Sequence, residues 1–313
     1  MVTIVLLNYN GWRDTLACLE SLQKQTTGGW RAVVADNGSQ DDSLVQINRW
    51  VAGRKAEKQV RVLSLGANYG FAKGNNMAMD AMREEATDYY WILNNDTVVE
   101  PDCLEKMVRY MDTHHDVTAL TPAICLYDHR DLLWNAGGRL VFGGRRYYGA
   151  MEPYSTVANR RELAISFVTG CALMVRKELV ADRPLFTERF FFGEEDFDFS
   201  LRMQAEGRKM VCLTEAVIYH KVSATIGQEW NYNKLFVHTM NRAINLKSHY
   251  SSLKFLFWKL LYFPYTRLRF LSGLSRKDRN CFMRLLRQEC EANDGVSKGL
   301  YEKYIRYPFK NDA

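Results

Sequence analysis

No CxxC pair and no cysteine/histidine cluster with zinc spacing occurs in this chain, although it carries seven cysteines. Scattered and odd in number, they read as reduced thiols of a cytosolic protein. No apolar run reaches the roughly 18 to 20 residues that span a bilayer, so no membrane-crossing helix is expected. The amino terminus, MVTIVLLNYN, has no basic leader and soon turns polar; it reads as a first strand and not as a secretory signal. No GxGxxG follows that strand, which argues against a dinucleotide fold of the usual kind. GxxxxGK[ST] is also missing, so the chain is not a P-loop protein. Internal repeats and low-complexity tracts are absent as well.

What is present is ordinary in bulk and uneven in distribution. The chain has 313 residues, 47% hydrophobic and 25% charged, enough for one large domain or two modest ones. Its net charge of +6 conceals an asymmetry: residues 231–313 carry +10 and the first 230 carry −4.

The first 125 residues alternate short apolar runs with helical patterns. VTIVLL (2–7), RAVVA (31–35), VRVLSL (60–65) and YYWIL (89–93) read as strands, and 12–25 carries Leu16, Leu19 and Leu22 at helical spacing. Such alternation implies an α/β fold, a mostly parallel sheet with helices on both faces and ligands at the carboxyl ends of the strands. Those ends carry Asn8-Tyr9-Asn10, Asp36-Asn37-Gly38-Ser39, Asn68-Tyr69-Gly70 and Asn94-Asn95-Asp96. Further on, 140–149 reads as a hairpin around Gly143-Gly144, and 165–179 as a long apolar run followed by a helix start. A helix is expected from Glu194 to about Glu206, stopped by Gly207, and then one or two strands ending at His220.

Three constellations carry chemistry. Without a glycine-rich phosphate loop, bound phosphate needs a metal, and Asp96 is the natural ligand because Mg²⁺ and Mn²⁺ prefer oxygen donors. Asn-Asn-Asp also suits plain turn chemistry, and both readings stand. In FFFGEEDFDFSLR (190–202), Glu194, Glu195, Asp196 and Asp198 gather where a helix dipole favours acids. The abutting Phe residues would also desolvate a carboxylate and make it a usable general base. Asp198 and Arg202 sit four apart on one helical face and read as a structural pair. The third constellation is His220, at yet another strand exit.

Taken together and in order, IVLLNYNGWRDTLACLESL, VVADNGSQDDS, NYGFAKGNN, WILNNDTVV, FVTGCALMVRKE, FFFGEEDFDFSLRMQAEG and IYHKVSATIG resemble the inverting glycosyltransferases of family 2, which have the GT-A fold. The rhamnosyltransferase-type members of surface-polysaccharide assembly are the most similar. The resemblance implies that Asp36 reads the pyrimidine base, that Asn8 and Asn10 line the nucleoside site, and that Asn68, Gly70 and Asn75 form a second nucleotide-binding segment, with Asn95 alongside. It implies that Asp96 ends a DxD-type metal motif whose first aspartate is here Asn94, that His220 completes the Mg²⁺ or Mn²⁺ diphosphate site, and that Asp196 is the base, with Glu195 the close alternative. The donor would be a dTDP- or UDP-sugar, dTDP-rhamnose by subtype, and the acceptor a saccharide linked to polyprenyl diphosphate. Trp134 shapes the acceptor side on one reading and fills core on another. A sugar nucleotidyltransferase fits poorly, since Asn8-Tyr9-Asn10-Gly11-Trp12 is no activating loop; an inactive nucleotide-binding subunit is encouraged only by Asn94.

The expected organisation is a catalytic domain over 1–230, with a nucleotide-binding half at 1–125 and an acceptor-binding half at 126–230. A basic, aromatic helical extension follows at 231–313, where Pro264 should break or kink any helix. KFLFWKLLYFPYTRLRFL (254–271) interleaves apolar residues with Lys and Arg. It suits a packing lid, a nucleic-acid surface or an in-plane membrane contact. Membrane contact at the inner face of the cell membrane is the favoured expectation, with no nucleic-acid partner.

Overall fold

Apolar side chains on both faces of the first strands force the sheet to be covered on both sides. The computed structural model describes residues 1–222 and 231–309; the end of the sequence segment IYHKVSATIG lies outside them. The elements run β1 (Val2–Asn8), α1 (Trp12–Leu22), β2 (Trp30–Asp36), α2 (Ser43–Arg54), β3 (Val60–Ser64), α3 (Phe71–Asp80) and β4 (Tyr89–Asn94). Val2, Ile4 and Leu6 pack under α1, α2 and α4 (Cys103–Thr113), while Val5 faces α3 on the opposite side.

β1 pairs in parallel with β2, Asn8 opposite Asp36, and on its other edge with β4, Leu7 opposite Asn94. The chain therefore winds outward through β2 and β3 and then returns across β1 to β4. The crevice beyond β1 and β4 is a topological switch point, where ligands bind in such sheets.

The second half extends the same sheet. β5 (Thr97–Val99), β6 (Val117–Leu126) and β7 (Leu133–Asn135) precede the separate hairpin β8 (Gly138–Val141) and β9 (Gly144–Tyr147). After α5 (Ser155–Ala158) come β10 (Glu162–Ile165), β11 (Ala172–Arg176), α6 (Glu195–Ala205) and β12 (Lys209–His220). β11 lies antiparallel between β4 and β6, and β12 runs parallel to β6. His220 thus reaches the same sheet edge as Asn8 and Asn94. Because α6 descends to feed the start of β12, its amino terminus lies at that edge too.

The tail is α7 (Tyr232–His249), α8 (Ser252–Arg269), α9 (Arg276–Ala292) and α10 (Lys298–Ile305). Each begins at a side-chain cap: Asn231, Ser251, Ser275 and Ser297 accept the N–H three residues on. Phe236, Phe282 and Tyr304 form the centre of its core, which also takes in Phe190, Phe197 and Leu201 from the first 230 residues.

The four amino-terminal strands form where expected, each within two residues, as do the 143–144 hairpin and the helix before Gly207, which has φ +64°. Of the 165–179 run, Ile165 ends β10, Ala172–Arg176 form β11, and a short 3-10 turn starts at Lys177 where a helix start is expected. Pro264 does not end its helix: α8 continues to Arg269. The carbonyl deprived of a partner, that of Leu260, belongs to a 64%-exposed residue on the solvent side of α8. Among the described residues no helix is long and apolar enough to cross a membrane.

Candidate active site

Strand register brings the polar exits together. Asn8 Nδ2 donates to Asp36 Oδ1 at 2.8 Å, and the Ser39 hydroxyl and N–H donate to the same carboxylate at 2.5 and 3.0 Å. Asn8 is fully buried and its Oδ1 accepts from Thr15, so it braces this corner from beneath. Asn10, with φ +52°, places its own N–H on Ser39 and accepts from Gln40 N. Asn95 reaches across to Thr15 at 2.9 Å. Asn68 accepts from Asn37 and from Gly70 N, while Asn75 is buried within α3, bonded to the Phe71 carbonyl.

Gly70 explains how this corner meets the acid cluster. Its φ of 83° and ψ of −179° are open essentially to glycine alone, and a Cβ there would run into the Phe191 carbonyl oxygen. The FFFG segment therefore lies directly against the 68–70 loop. From the other side it is held by the tail: Phe191 N donates to Val296 O and Asn241 Nδ2 to Phe192 O.

At the exit of β4, β5 turns back and pairs Thr97 with His220. That brings His220 Nε2 to 3.0 Å from Asp96 Oδ1, with the two side chains 6% and 21% exposed. Trp134 sets its ring edge on the imidazole, 4.6 Å between centroids, while also packing on the sheet core. Burial opposes a charged imidazole, but Cys171 and Asp96 together push its pKa up to about 10. Among the described residues no group of three or more His, Cys, Asp and Glu side chains is placed to hold a metal. A facing carboxylate and imidazole nevertheless fit a divalent cation that completes its shell with phosphate oxygens and water.

The four acids before and within α6 have four different environments. Glu194, left-handed at φ 71°, is gripped by both nitrogens of the Arg242 fork at 2.7 and 2.8 Å. Burial alone would raise its pKa; Arg242 outweighs this and lowers it to about 2. Asp198 is held by Arg202, as the sequence spacing suggested, and also by His249 of α7 at 2.8 Å. Asp196 faces Arg145 at 3.7 Å. Burial raises its pKa and Arg145 counters that. Glu195 Oε2 is buried with no hydrogen-bond partner, and desolvation together with the Asp196 charge lifts its pKa to about 8. Burial thus raises both acids, and Arg145, 3.7 Å from Asp196, offsets part of that rise.

Asp96 and His220 are therefore in contact, and Asp196 stands at the same edge without a direct bond to either among the described residues. Sequence reasoning missed Arg145, Arg242 and His249, which hold the acids from distant elements and carry no local signal. Ser39 was accessible, since a serine three residues after Asp36 is turn chemistry.

The family model for Glycosyl transferase family 2 matches residues 3–183. The N-acetylglucosaminyl-diphospho-decaprenol L-rhamnosyltransferase of Mycobacterium tuberculosis is 24% identical over 248 residues, 72% of this chain and 78% of that one. An uncharacterized protein, y4gI, of Sinorhizobium fredii is 26% identical over 204 residues, and the teichoic acid poly(glycerol phosphate) polymerase of Staphylococcus epidermidis 28% over 95. These cover 64% and 30% of this chain, which spans only 20% and 12% of the length of those two relatives. Among solved structures, S. aureus TarS 1-349 superposes with TM-score 0.58 at 14% identity, over 97% of this chain and 90% of that one. GalNAc-T7 with UDP, GalNAc and Mn2+ gives 0.63 at 13%, over 99% and 58%. At such identities the likeness is one of fold, and the fold is GT-A.

Two outcomes follow from the ion pairs. Arg242→Met leaves Glu194 buried without its guanidinium, with Asn245 and His238 still beside it, and should cost about 3–5 kcal/mol, with much of the loss restored in the Arg242→Met/Glu194→Gln double variant. Chemical denaturation measures both, and an additive double variant would remove the pair as the cause. For Glu195 the folded pKa lies above the ordinary 4.5. The folded chain then keeps a proton that the unfolded chain gives up between about pH 4.5 and 8, and stability falls as pH rises through that window. Glu195→Gln should flatten this fall by on the order of 1 kcal/mol; identical slopes in both proteins would show that Glu195 is already ionised.

Proposed function

The chain belongs to glycosyltransferase family 2, and from that premise we propose that it is an inverting, nucleotide-sugar-dependent transferase of bacterial surface-polysaccharide assembly. The observation that carries the reading is the Asp96–His220 pair at the β1/β4 switch point, with the α6 amino terminus at the same edge. The nucleoside lies against Asp36, Asn8, Asn10 and Asn95, with Asn68, Gly70 and Asn75 shaping the adjoining loop. Asp96 and His220 would hold a divalent cation, Mg²⁺ or Mn²⁺, which when bound would offset the charge of the departing nucleoside diphosphate. Mn2+ in the solved GalNAc-T7 and in the mannosyltransferase PcManGT complexed with GDP-Man supports the divalent ion.

Asp196, ionised and steadied by Arg145, takes the proton from the acceptor hydroxyl as that oxygen attacks the anomeric carbon on the face opposite the nucleotide. Neutral Glu195 beside it adds no second charge. One displacement inverts the anomeric centre. The donor sugar is L-rhamnose from dTDP-rhamnose, a choice supported by the Mycobacterium tuberculosis relative. A UDP-sugar is the second reading, favoured by TarS and GalNAc-T7, both of which have been solved with UDP. The acceptor saccharide is linked to polyprenyl diphosphate, and Trp134, edge-on to His220, borders its site.

The catalytic unit is 1–230, divided near 125 into nucleotide and acceptor halves, and 231–313 is its helical extension. The protein works as a peripheral protein at the inner face of the cell membrane. Leu253, Leu256, Leu260 and Leu268 are 48–81% exposed along one stripe of α8. Lys254, Lys259, Arg267 and Arg269 are on the same helix, which has no acid. That combination is complementary to anionic lipid.

A hydrolysis screen of dTDP- and UDP-sugars with Mg²⁺ and Mn²⁺ identifies the donor. In it Asp196→Asn should lose transfer by about 10²–10⁴-fold while donor binding persists, and Asp96→Ala should lose the metal dependence of donor binding. Retained turnover in the first, or an unchanged metal titration in the second, would remove the assigned role. On vesicles containing phosphatidylglycerol, Leu256→Ser/Leu260→Ser should pellet less than wild type; equal pelleting would dismiss α8 as the contact.

A further inference from the structure

The β8–β9 hairpin has an inner and an outer face with opposite character. On the inner face, Leu140 packs on the tail core and Arg145 points at Asp196. On the outer face, Arg139 lies directly opposite Arg146 in the ladder. Like charges paired across strands destabilise a hairpin, and among the described residues neither arginine has an ion-pair partner. Behind them opens a groove of about 830 Å³ whose far wall includes Arg160 and Arg161, with Tyr147 and Tyr148 between. Two glutamates, Glu152 and Glu162, also line it, and Arg161 is 3.6 Å from Glu215 outside the lining, so the positive excess is carried by Arg139, Arg146 and Arg160.

The same outer face continues into an apolar tip. Val141 is two residues from Arg139, about 7 Å along the strand, and it and Phe142 are 41% and 48% exposed. Phe142 stacks on Tyr250 at 6.0 Å and approaches Phe257 of α8 at 5.9 Å. Gly143 locks the tip in place: its N–H donates to the Tyr250 hydroxyl, its carbonyl accepts from Arg242, and a Cβ there would strike Trp258. The tip is thus continuous with the exposed leucine stripe. An apolar edge followed about 7 Å away by paired arginines matches the depth order of hydrocarbon and phosphate at a bilayer surface. The groove is also separate from the donor's phosphate site, since none of the nucleotide-corner residues, nor Asp96 or His220, lines it.

We propose that the outer face of β8–β9 and the groove behind it bind the diphosphate of a lipid-linked acceptor, with Val141 and Phe142 seated in the bilayer. The hairpin then sets the distance between the membrane and the reacting hydroxyl, because Arg145 on its inner face holds Asp196. The inference rests on the transferase reading for the identity of the acceptor. Arginine forks suit the ligand, since they pair with phosphate oxygens two at a time.

The test is co-sedimentation of the full chain with phosphatidylcholine vesicles carrying either phosphatidylglycerol or a polyprenyl diphosphate, matched in surface charge. Wild type should prefer the diphosphate vesicles by about tenfold, and inorganic diphosphate should erase the preference. Arg139→Gln/Arg146→Gln, with its fold checked by circular dichroism, should bind both vesicles alike. A preference retained in the double variant, or missing in wild type, overturns the proposal. So does equal loss on both vesicles, which marks general attraction to anionic lipid. Donor hydrolysis measured on wild type reports separately on the transferase reading, so the two can fail independently.

Discussion

The carboxylate of Glu194, 2% exposed, in the fork of Arg242 is the interaction on which the site depends. A lone buried charge of either sign would be prohibitive, so loop 190–194 and α7 are stable only together. From this joint the rest is set. Glu194 precedes α6 in a left-handed conformation, which aims the next two acids at the sheet edge. Arg242 reaches on to the Gly143 carbonyl and fixes the hairpin that carries Arg145. His249, at the far end of α7, holds Asp198. The tail is therefore part of the scaffold of the acid cluster as well as a surface element.

That joint also accounts for the charge asymmetry. A segment of +10 follows one of −4, and part of the excess closes on an acid of the first 230 residues through Arg242 and Glu194. Much of the remainder is exposed, on α8 and α9. One sign of charge thus serves two environments, one dry and one wet, and only burial separates them.

Glu195 and Asp196 are adjacent carboxylates with unlike environments. Glu195 has an oxygen with no partner and Asp196 has a guanidinium in front of it. Burial raises both pKa values, and Arg145 works against that most directly at Asp196. Asp96 and His220 show the complementary case: residues 124 positions apart in the chain meet because a three-strand consequence of register, β4 to β5 to β12, turns one toward the other.

Much was legible in the sequence. Short apolar runs and their polar exits fixed the strands, the sheet edge and Asn8, Asp36 and Asn94-Asn95-Asp96 as one locus, because hydrophobic periodicity and turn chemistry are local properties. The acids at 194–198 were equally plain, again from neighbours in sequence. What the fold alone decided is every pairing between distant elements: which acid receives Arg242, which receives Arg145 and which receives none. It also decided that Arg139 faces Arg146, and that α8 continues through Pro264 because its carbonyl side is wet. Such matters depend on packing and solvent access, and a chain's local preferences do not encode who its neighbours in space will be.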